Sequence, residues 1–178
     1  MGLADRGARR CPRPVCREYL MTALPLRHHP VRVLLVFLAA VVVTAVVGSL
    51  FSVSAGAEYL ALRRPSWAPP ASLFGPVWTV LYGLIALSGW LAWRRGATKA
   101  ELTLFGVQLV LNAAWTPLFF GLGWHEAAFA EIVVLWLSIA SLVVVFWWRS
   151  KAAALLLVPY LAWVSFAGAL NISIATLN

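Results

Sequence analysis

Five apolar segments, each about long enough to cross a lipid bilayer, dominate this sequence. The predicted spans are Val31–Val53, Pro76–Trp93, Glu101–Phe120, Ala127–Trp148 and Ala152–Leu177. A transmembrane helix needs about 20 predominantly apolar residues, and its backbone must satisfy its own hydrogen bonds because hydrocarbon offers none. The last four segments are joined by short loops, which favour antiparallel neighbours. The sequence therefore predicts an all-α fold, an integral membrane bundle of five transmembrane helices.

The composition excludes several other classes of protein. Of the 178 residues, 62% are hydrophobic and only 11% are charged, which is typical of a membrane protein. The net charge of +8 does not indicate a nucleic-acid partner, because the basic residues form short clusters between apolar segments. No nucleotide-binding loop, HExxH motif, GxSxG motif or pair of carboxylates indicates an ATPase or a hydrolase. Cys11 and Cys16 alone are too few ligands for a metal site, so none is expected.

The distribution of charge predicts the domains and their orientation. Residues 1–30 form a basic tail, expected to be disordered, with Met21 as an alternative start, and residues 31–178 form the membrane domain. Twelve of the fourteen Lys and Arg residues would lie on the side of the tail. The positive-inside rule therefore places the N-terminus in the cytoplasm. We expect the membrane to be a bacterial cell membrane, although the sequence does not distinguish plasma from outer membrane. The first loop, residues 54–75, would then lie outside.

This first loop is unusual, and we call residues 54–75 the lid. Four prolines, three within its second half and one directly after it, disfavour a regular helix there: Pro65, Pro69, Pro70 and Pro76. Trp67, Leu73 and Phe74 are nevertheless too apolar for a solvated linker. The segment is therefore expected to lie against the end of the helix bundle. The alternative is a stiff loop that binds no ligand.

Three predicted helices carry aromatic and polar side chains at helical spacing between mid-membrane and the lid. The three sets are Trp78 with Tyr82, Asn112 with Trp115 and Phe119, and Trp163 with Ala167 and Asn171. Side chains three or four residues apart share one helix face, and rings beside a small residue predict a flat apolar pocket with few polar groups. The alternative is ordinary bundle packing, with the two asparagines linking helices.

Two ionisable residues near the lid-side end of the fourth span are weaker candidates. Glu131 lies inside the span, where an acid is a functional candidate, although at this depth it could also reach headgroup water. His125 lies in the preceding turn and is expected to be solvated.

Four motifs resemble one known family, the tryptophan-rich sensory protein/translocator protein (TspO/MBR, peripheral benzodiazepine receptor) family. They are EYLALRRPSWAPP, FGPVWTVLYGLIALSGW, LNAAWTPLFFG and VPYLAWVSFAGALNISIATLN. The likeness extends from about Val31 to Asn178. It implies a five-helix bundle, commonly a homodimer, that binds protoporphyrin IX and synthetic isoquinoline carboxamide or benzodiazepine ligands, with no cofactor required.

The resemblance also implies which residues bind the ligand. They are Tyr59, Pro69, Phe74, Trp78, Tyr82, Asn112, Trp115, Trp163 and Ala167. Some bacterial members are credited with light- and oxygen-dependent breakdown of protoporphyrin IX, for which Trp78 and Trp163 occupy the implicated catalytic positions. The segment after Tyr160 contains no Lys or Arg, so the sterol motif of animal members is absent.

Three functions therefore follow from the sequence. The first is a membrane receptor for tetrapyrroles, in which rings stack on the macrocycle and Arg63 or Arg64 pairs with its propionates. The second is a photo-oxidative enzyme that degrades the porphyrin. The third is a porphyrin or lipid transporter, although the absence of inverted repeats and broken helices disfavours alternating access.

Overall fold

A computed structural model describes residues 29–50 and 55–178, and within these ranges all regular secondary structure is helical. The six α-helices are α1 (Pro30–Leu50), α2 (Ala55–Ala61), α3 (Phe74–Arg94), α4 (Lys99–Thr116), α5 (His125–Arg149) and α6 (Lys151–Leu177). A 3₁₀ turn, Ala71–Leu73, precedes α3, and a π-helical turn, Pro117–Gly121, follows α4. Five of these helices, all but the short α2, are long and apolar enough to span a bilayer. The prediction of an all-α, five-span membrane fold is confirmed.

The basic tail predicted for residues 1–30 lies almost entirely outside the described residues, as does the last part of the first predicted span. The other four spans begin and end within a few residues of their predicted bounds. The seven-residue helix α2 was not predicted. Its sequence, AGAEYLA, is rich in good helix formers, and the prolines that disfavour a helix begin only at Pro65.

Local sequence signals fix the helix ends opposite the lid. Gly96, at a φ of 78°, ends α3 in the left-handed conformation that glycine adopts without strain. Thr98 then caps α4: its hydroxyl accepts from the N–H of Glu101 at 3.3 Å, and the Glu101 carboxylate accepts from the N–H of Thr98 at 2.6 Å. Ser150 caps α6 by accepting from the N–H of Ala153 at 3.3 Å. These signals keep the connections short and the helices antiparallel.

The core runs along the middle of the bundle. The helix α6 packs against α3 and α5, while α4 packs against α1 and α5. Ile85, Leu142 and Tyr160 are fully buried in this core. The outer faces remain apolar, as on α1, where Val36 is 66% exposed. Exposed apolar side chains of this kind suit contact with lipid.

Gly89 marks the closest approach between helices. A Cβ placed on Gly89 would lie 2.7 Å from atoms of both the Phe105 and the Phe37 rings. These two rings contact each other edge-on, with centroids 5.4 Å apart. Glycine at this position therefore allows α1, α3 and α4 to pack closely around one point.

Tryptophans and basic residues gather at the end of the bundle opposite the lid. The indole N–H of Trp90 donates to the carbonyl of Pro30 at 2.9 Å, and the Arg94 guanidinium lies 4.8 Å from the Trp90 ring centroid. Arg149 and Glu101 form an ion pair at 3.1 Å that joins α4 and α5. This arrangement is typical of the aromatic belt at a membrane surface.

Candidate functional site

A cavity of about 480 Å³ lies beneath the lid, among α1, α3, α4, α5 and α6. Its volume falls in the range of about 300–1,000 Å³ that is usual for small-molecule sites. Eight aromatic side chains line it: Tyr59, Phe74, Trp78, Tyr82, Trp115, Phe119, Phe120 and Trp163. The cavity is therefore apolar and walled largely by rings.

The structure brings together eight of the nine residues predicted to bind a ligand. Tyr59, Phe74, Trp78, Tyr82, Asn112, Trp115, Trp163 and Ala167 all line the cavity. Pro69 does not line it, but its carbonyl accepts a hydrogen bond from the Tyr59 hydroxyl at 2.9 Å. Both tryptophans of the photo-oxidation hypothesis, Trp78 and Trp163, are among the lining residues. Their role in binding or chemistry stays a prediction.

The ring wall on α3 follows from helical spacing. Trp78 and Tyr82 lie one turn apart, and their ring centroids are 5.2 Å apart with the planes tilted by 32°. The Trp78 ring also meets the edge of Tyr160 on α6, at 6.1 Å. Aromatic pairs prefer such offset and edge-on arrangements, so these contacts stabilise the wall.

A chain of side-chain hydrogen bonds joins three helices at the inner end of the cavity. The Tyr82 hydroxyl donates to Asn112 Oδ1 at 3.0 Å, and Asn112 Nδ2 donates to the Tyr160 hydroxyl at 3.0 Å. Sequence reasoning missed Tyr160, which is fully buried. The signal available in the sequence was its position three residues before Trp163, on the helix face that also carries Ala167.

A second asparagine ties α4, α5 and α6 together nearer the lid. The Trp115 indole N–H donates to Asn171 Oδ1 at 3.1 Å, and Asn171 Nδ2 donates to the carbonyl of His125 at 2.8 Å. His125 was expected to be a solvated loop residue, but it is the first residue of α5 and is half-buried. Its ring packs 4.6 Å from that of Phe119, which accounts for the difference. Both asparagines therefore line the cavity and link helices at the same time.

Ring contacts attach the lid to α6. Phe74 meets Trp163 at 5.8 Å, and Trp67 meets Phe166 at 5.7 Å, both edge-on. Within the lid, Tyr59 contacts Phe74 at 5.4 Å and is only 3% exposed. The expectation that the proline-rich segment lies against the bundle matches these contacts.

The wall formed by α1 was not foreseen. Ala45, Gly48 and Ser49 line the cavity from this helix, and Gly56 lines it from α2. None of these side chains is aromatic or ionisable, so no residue type distinguished them from the rest of an apolar span. Their small size leaves room for the rings opposite.

Charge is confined to the rim of the cavity. None of the described residues that line it is charged. The Arg64 guanidinium lies 4.7 Å from the centroid of the Tyr59 ring.

Glu131 does not line the cavity, and its carboxylate oxygens are enclosed by protein without a hydrogen-bond partner. Across the described ranges, no group of three or more His, Cys, Asp or Glu residues is placed to hold a metal ion.

The sequence of this chain is similar to those of several known proteins. A sequence model of the TspO/MBR family matches residues 36–177. The chain is 44% identical over 124 residues to the tryptophan-rich protein TspO of Chlorobaculum tepidum, which covers 67% of this chain and 78% of the relative. It is 38% identical over 147 residues to the protein CrtK of Rhodobacter capsulatus, covering 80% and 91%. It is also 38% identical over 134 residues to the translocator protein of Homo sapiens, covering 70% and 78%.

Proposed function

This chain belongs to the TspO/MBR family of membrane proteins, and from that premise we propose that it is a receptor for tetrapyrroles such as protoporphyrin IX. The ligand would lie in the aromatic cavity beneath the lid. The same cavity would take flat synthetic ligands of the isoquinoline carboxamide and benzodiazepine type.

The observation that carries this proposal is the chemistry of the cavity wall. Eight rings and no charged side chain, among the described residues, surround about 480 Å³. Such a wall favours a flat, apolar, conjugated molecule, because rings gain by stacking and by removal of apolar surface from water. The Asn112 and Asn171 side chains already bond to neighbouring helices, so few polar groups remain for a polar ligand.

The rim supplies the complement for the acidic part of a porphyrin. Arg64 lies beside the cavity-lining Tyr59, and Arg63 is exposed next to it. A guanidinium forms strong, charge-assisted hydrogen bonds with a carboxylate. The propionates would therefore lie at the lid with the macrocycle inside, which avoids placing carboxylates in hydrocarbon.

A second candidate function is breakdown of the bound porphyrin by light and dioxygen. Trp78 and Trp163 both line the cavity, so a porphyrin held there would lie within reach of two indole rings. Dioxygen would be the oxidant in this reaction, and the absorbed light would supply its energy.

We further propose that the multi-pass protein lies in a bacterial cell membrane with its N-terminus in the cytoplasm and the lid outside. The basic residues support this orientation, because Arg94, Arg95 and Lys151 lie at the end opposite the lid. The family resemblance supports a homodimer, which cross-linking in membranes would test.

The cavity is tested by substituting Ala167 with Phe and titrating the purified full chain with protoporphyrin IX in the dark. The added ring enters the cavity beside Trp163, so affinity should fall at least tenfold. Ala162→Phe is the matched control, because Ala162 lies on the same helix with its side chain exposed. Equal porphyrin affinity in a folded Ala167→Phe protein and in the parent would place the ligand elsewhere.

A second titration tests the rim. The dimethyl ester of protoporphyrin IX keeps the macrocycle but carries no negative charge on its propionate groups. Replacing Arg63 and Arg64 with Gln should weaken binding of the free acid and leave binding of the ester unchanged. If both ligands weaken equally, the arginines shape the lid and do not pair with carboxylates. Haem and a sterol, titrated alongside, define the selectivity of the cavity.

A further inference from the structure

The side chain of Asn178, the residue after α6, pairs with the lid backbone. Its Oδ1 accepts a hydrogen bond from the N–H of Arg63 at 3.0 Å, and its Nδ2 donates to the Arg63 carbonyl at 3.0 Å. Nδ2 donates a second hydrogen bond to the carbonyl of Ile174 at 2.9 Å. The amide thus satisfies both backbone groups of Arg63, much as a neighbouring strand would.

Arg63 is adjacent to the lid residues that cover the cavity. The next residue, Arg64, covers the ring of Tyr59, and Tyr59 lines the cavity and bonds to the carbonyl of Pro69. These contacts link the lid from Tyr59 to Pro69 into one unit. Fixing the backbone of Arg63 against α6 therefore fixes the position of this unit over the cavity.

The pairing with Asn178 differs in kind from the other contacts between the lid and α6. The contacts of Trp67 with Phe166 and of Phe74 with Trp163 are edge-on ring contacts, which tolerate small displacements. Two hydrogen bonds to one backbone residue fix both a distance and a direction. A side-chain amide offers a donor and an acceptor side by side, as this pairing requires.

We propose that Asn178 is a positioning residue that holds the lid closed over the cavity, so that pairing between Asn178 and Arg63 sets the rate at which ligands enter and leave. This inference deepens the proposed function, since it concerns access to the same cavity, but its test requires no ligand. Loss of two hydrogen bonds is expected to shift the balance between closed and open lid by about 5–30-fold.

The first experiment measures hydrogen–deuterium exchange of the lid segment, residues 62–73, in the ligand-free full chain. Asn178→Ala should exchange about 5–30-fold faster there. Asn178→Asp keeps an acceptor for the N–H of Arg63 but loses the donor, so it should be intermediate. Thr176→Ala is the matched control, because the Thr176 hydroxyl bonds to the Ser173 carbonyl of its own helix. Parent-like exchange of the lid in both Asn178 variants would overturn the proposal.

A second experiment measures access to the cavity itself. A cysteine at Ala167, with Cys11 and Cys16 replaced by Ser, should react with a water-soluble maleimide faster when Asn178 is Ala, by the same factor as the lid exchange. Gly89→Ala serves as a control for loss of global stability, since it perturbs a helix crossing far from the lid. It should speed exchange in the helices and not in the lid alone.

Unchanged labelling in a protein whose lid exchanges faster would overturn the proposal, because the lid would then not control the cavity. Equal labelling in the Asn178 variant and an equally destabilised Gly89→Ala protein would also overturn it, because access would then follow global unfolding. Neither result depends on whether a tetrapyrrole binds, so failure of this inference is distinguishable from failure of the proposed receptor function.

Discussion

Substitution of Gly89 by Ala tests the closest helix contact in the bundle. The added Cβ would lie 2.7 Å from Phe105 Cζ and 2.7 Å from Phe37 Cδ1, distances that real Cβ atoms essentially never show. Phe105 is only 3% exposed, so its ring has little room to move. Because the two rings also contact each other, relief at one ring displaces the other. The change therefore requires α1, α3 and α4 to separate slightly.

The size of the effect follows from two opposing terms. Overpacking of this kind typically costs about 1–3 kcal/mol, whereas replacing Gly by Ala within a helix gains about 1 kcal/mol. Gly83 provides the matched control, because it lies in the same helix and a Cβ there meets nothing within 4 Å. Gly83→Ala should thus be at least as stable as the parent. Gly89→Ala should be less stable than Gly83→Ala by about 1–3 kcal/mol.

The assay is thermal unfolding of the full chain in one detergent, followed by far-ultraviolet circular dichroism. For a chain of this length, 1 kcal/mol corresponds to about 2–4 °C in Tm, so the two variants should differ by several degrees. Porphyrin affinity at low temperature should be retained in both, because neither glycine lines the cavity. Equal Tm values for Gly83→Ala and Gly89→Ala would refute the close crossing.

Three further predictions concern function and topology. Trp163→Phe keeps an aromatic face and should retain porphyrin binding. If porphyrin absorbance under illumination decays in Trp163→Phe and in Trp78→Phe as it does in the parent, the tryptophan mechanism is excluded. A cysteine in the loop 95–98 should be shielded from an impermeant reagent in intact cells while one at Ser72 is labelled, and the opposite pattern would reverse the proposed orientation. A chain that begins at Met21 should be expressed and bind porphyrin as the full chain does, whereas loss of binding would give the tail a role.

The spans could be predicted because length and hydropathy act on whole segments. A helix that must bury its backbone in hydrocarbon needs a long apolar sequence, whatever its neighbours are. Helix ends carried equally local signals, as the capping pair of Thr98 and Glu101 shows. The small helix α2 escaped prediction because seven residues are too few for either signal. Burial of its residue Tyr59, which is 3% exposed, is a result of tertiary packing and could not be predicted from seven residues.

The aromatic part of the site could be predicted from spacing and from the family resemblance together. Helical periodicity placed Trp78 with Tyr82 and Trp163 with Ala167, and all four line the cavity. The contribution of α1 could not be predicted, because Ala45 and Gly48 resemble the other small residues of an apolar span. Tertiary packing decides which helix closes the cavity, so the sequence of that helix alone does not reveal it.

The two asparagines show why the polar part of the site was ambiguous. The sequence allowed Asn112 and Asn171 to be ligand contacts or links between helices, since a buried amide satisfies its donors and acceptor equally well with either partner. In the structure, each carbonyl oxygen accepts from one ring-bearing residue and each amide nitrogen donates to another element. Interhelical bonds in membranes average only about 0.6 kcal/mol each, so these four would contribute about 2 kcal/mol in total. That is modest for stability, but it holds Tyr82 and Trp115 in place. In the proposed receptor, the asparagines would therefore act on a ligand chiefly by orienting rings, and selectivity for its acidic groups would depend on the arginines of the lid.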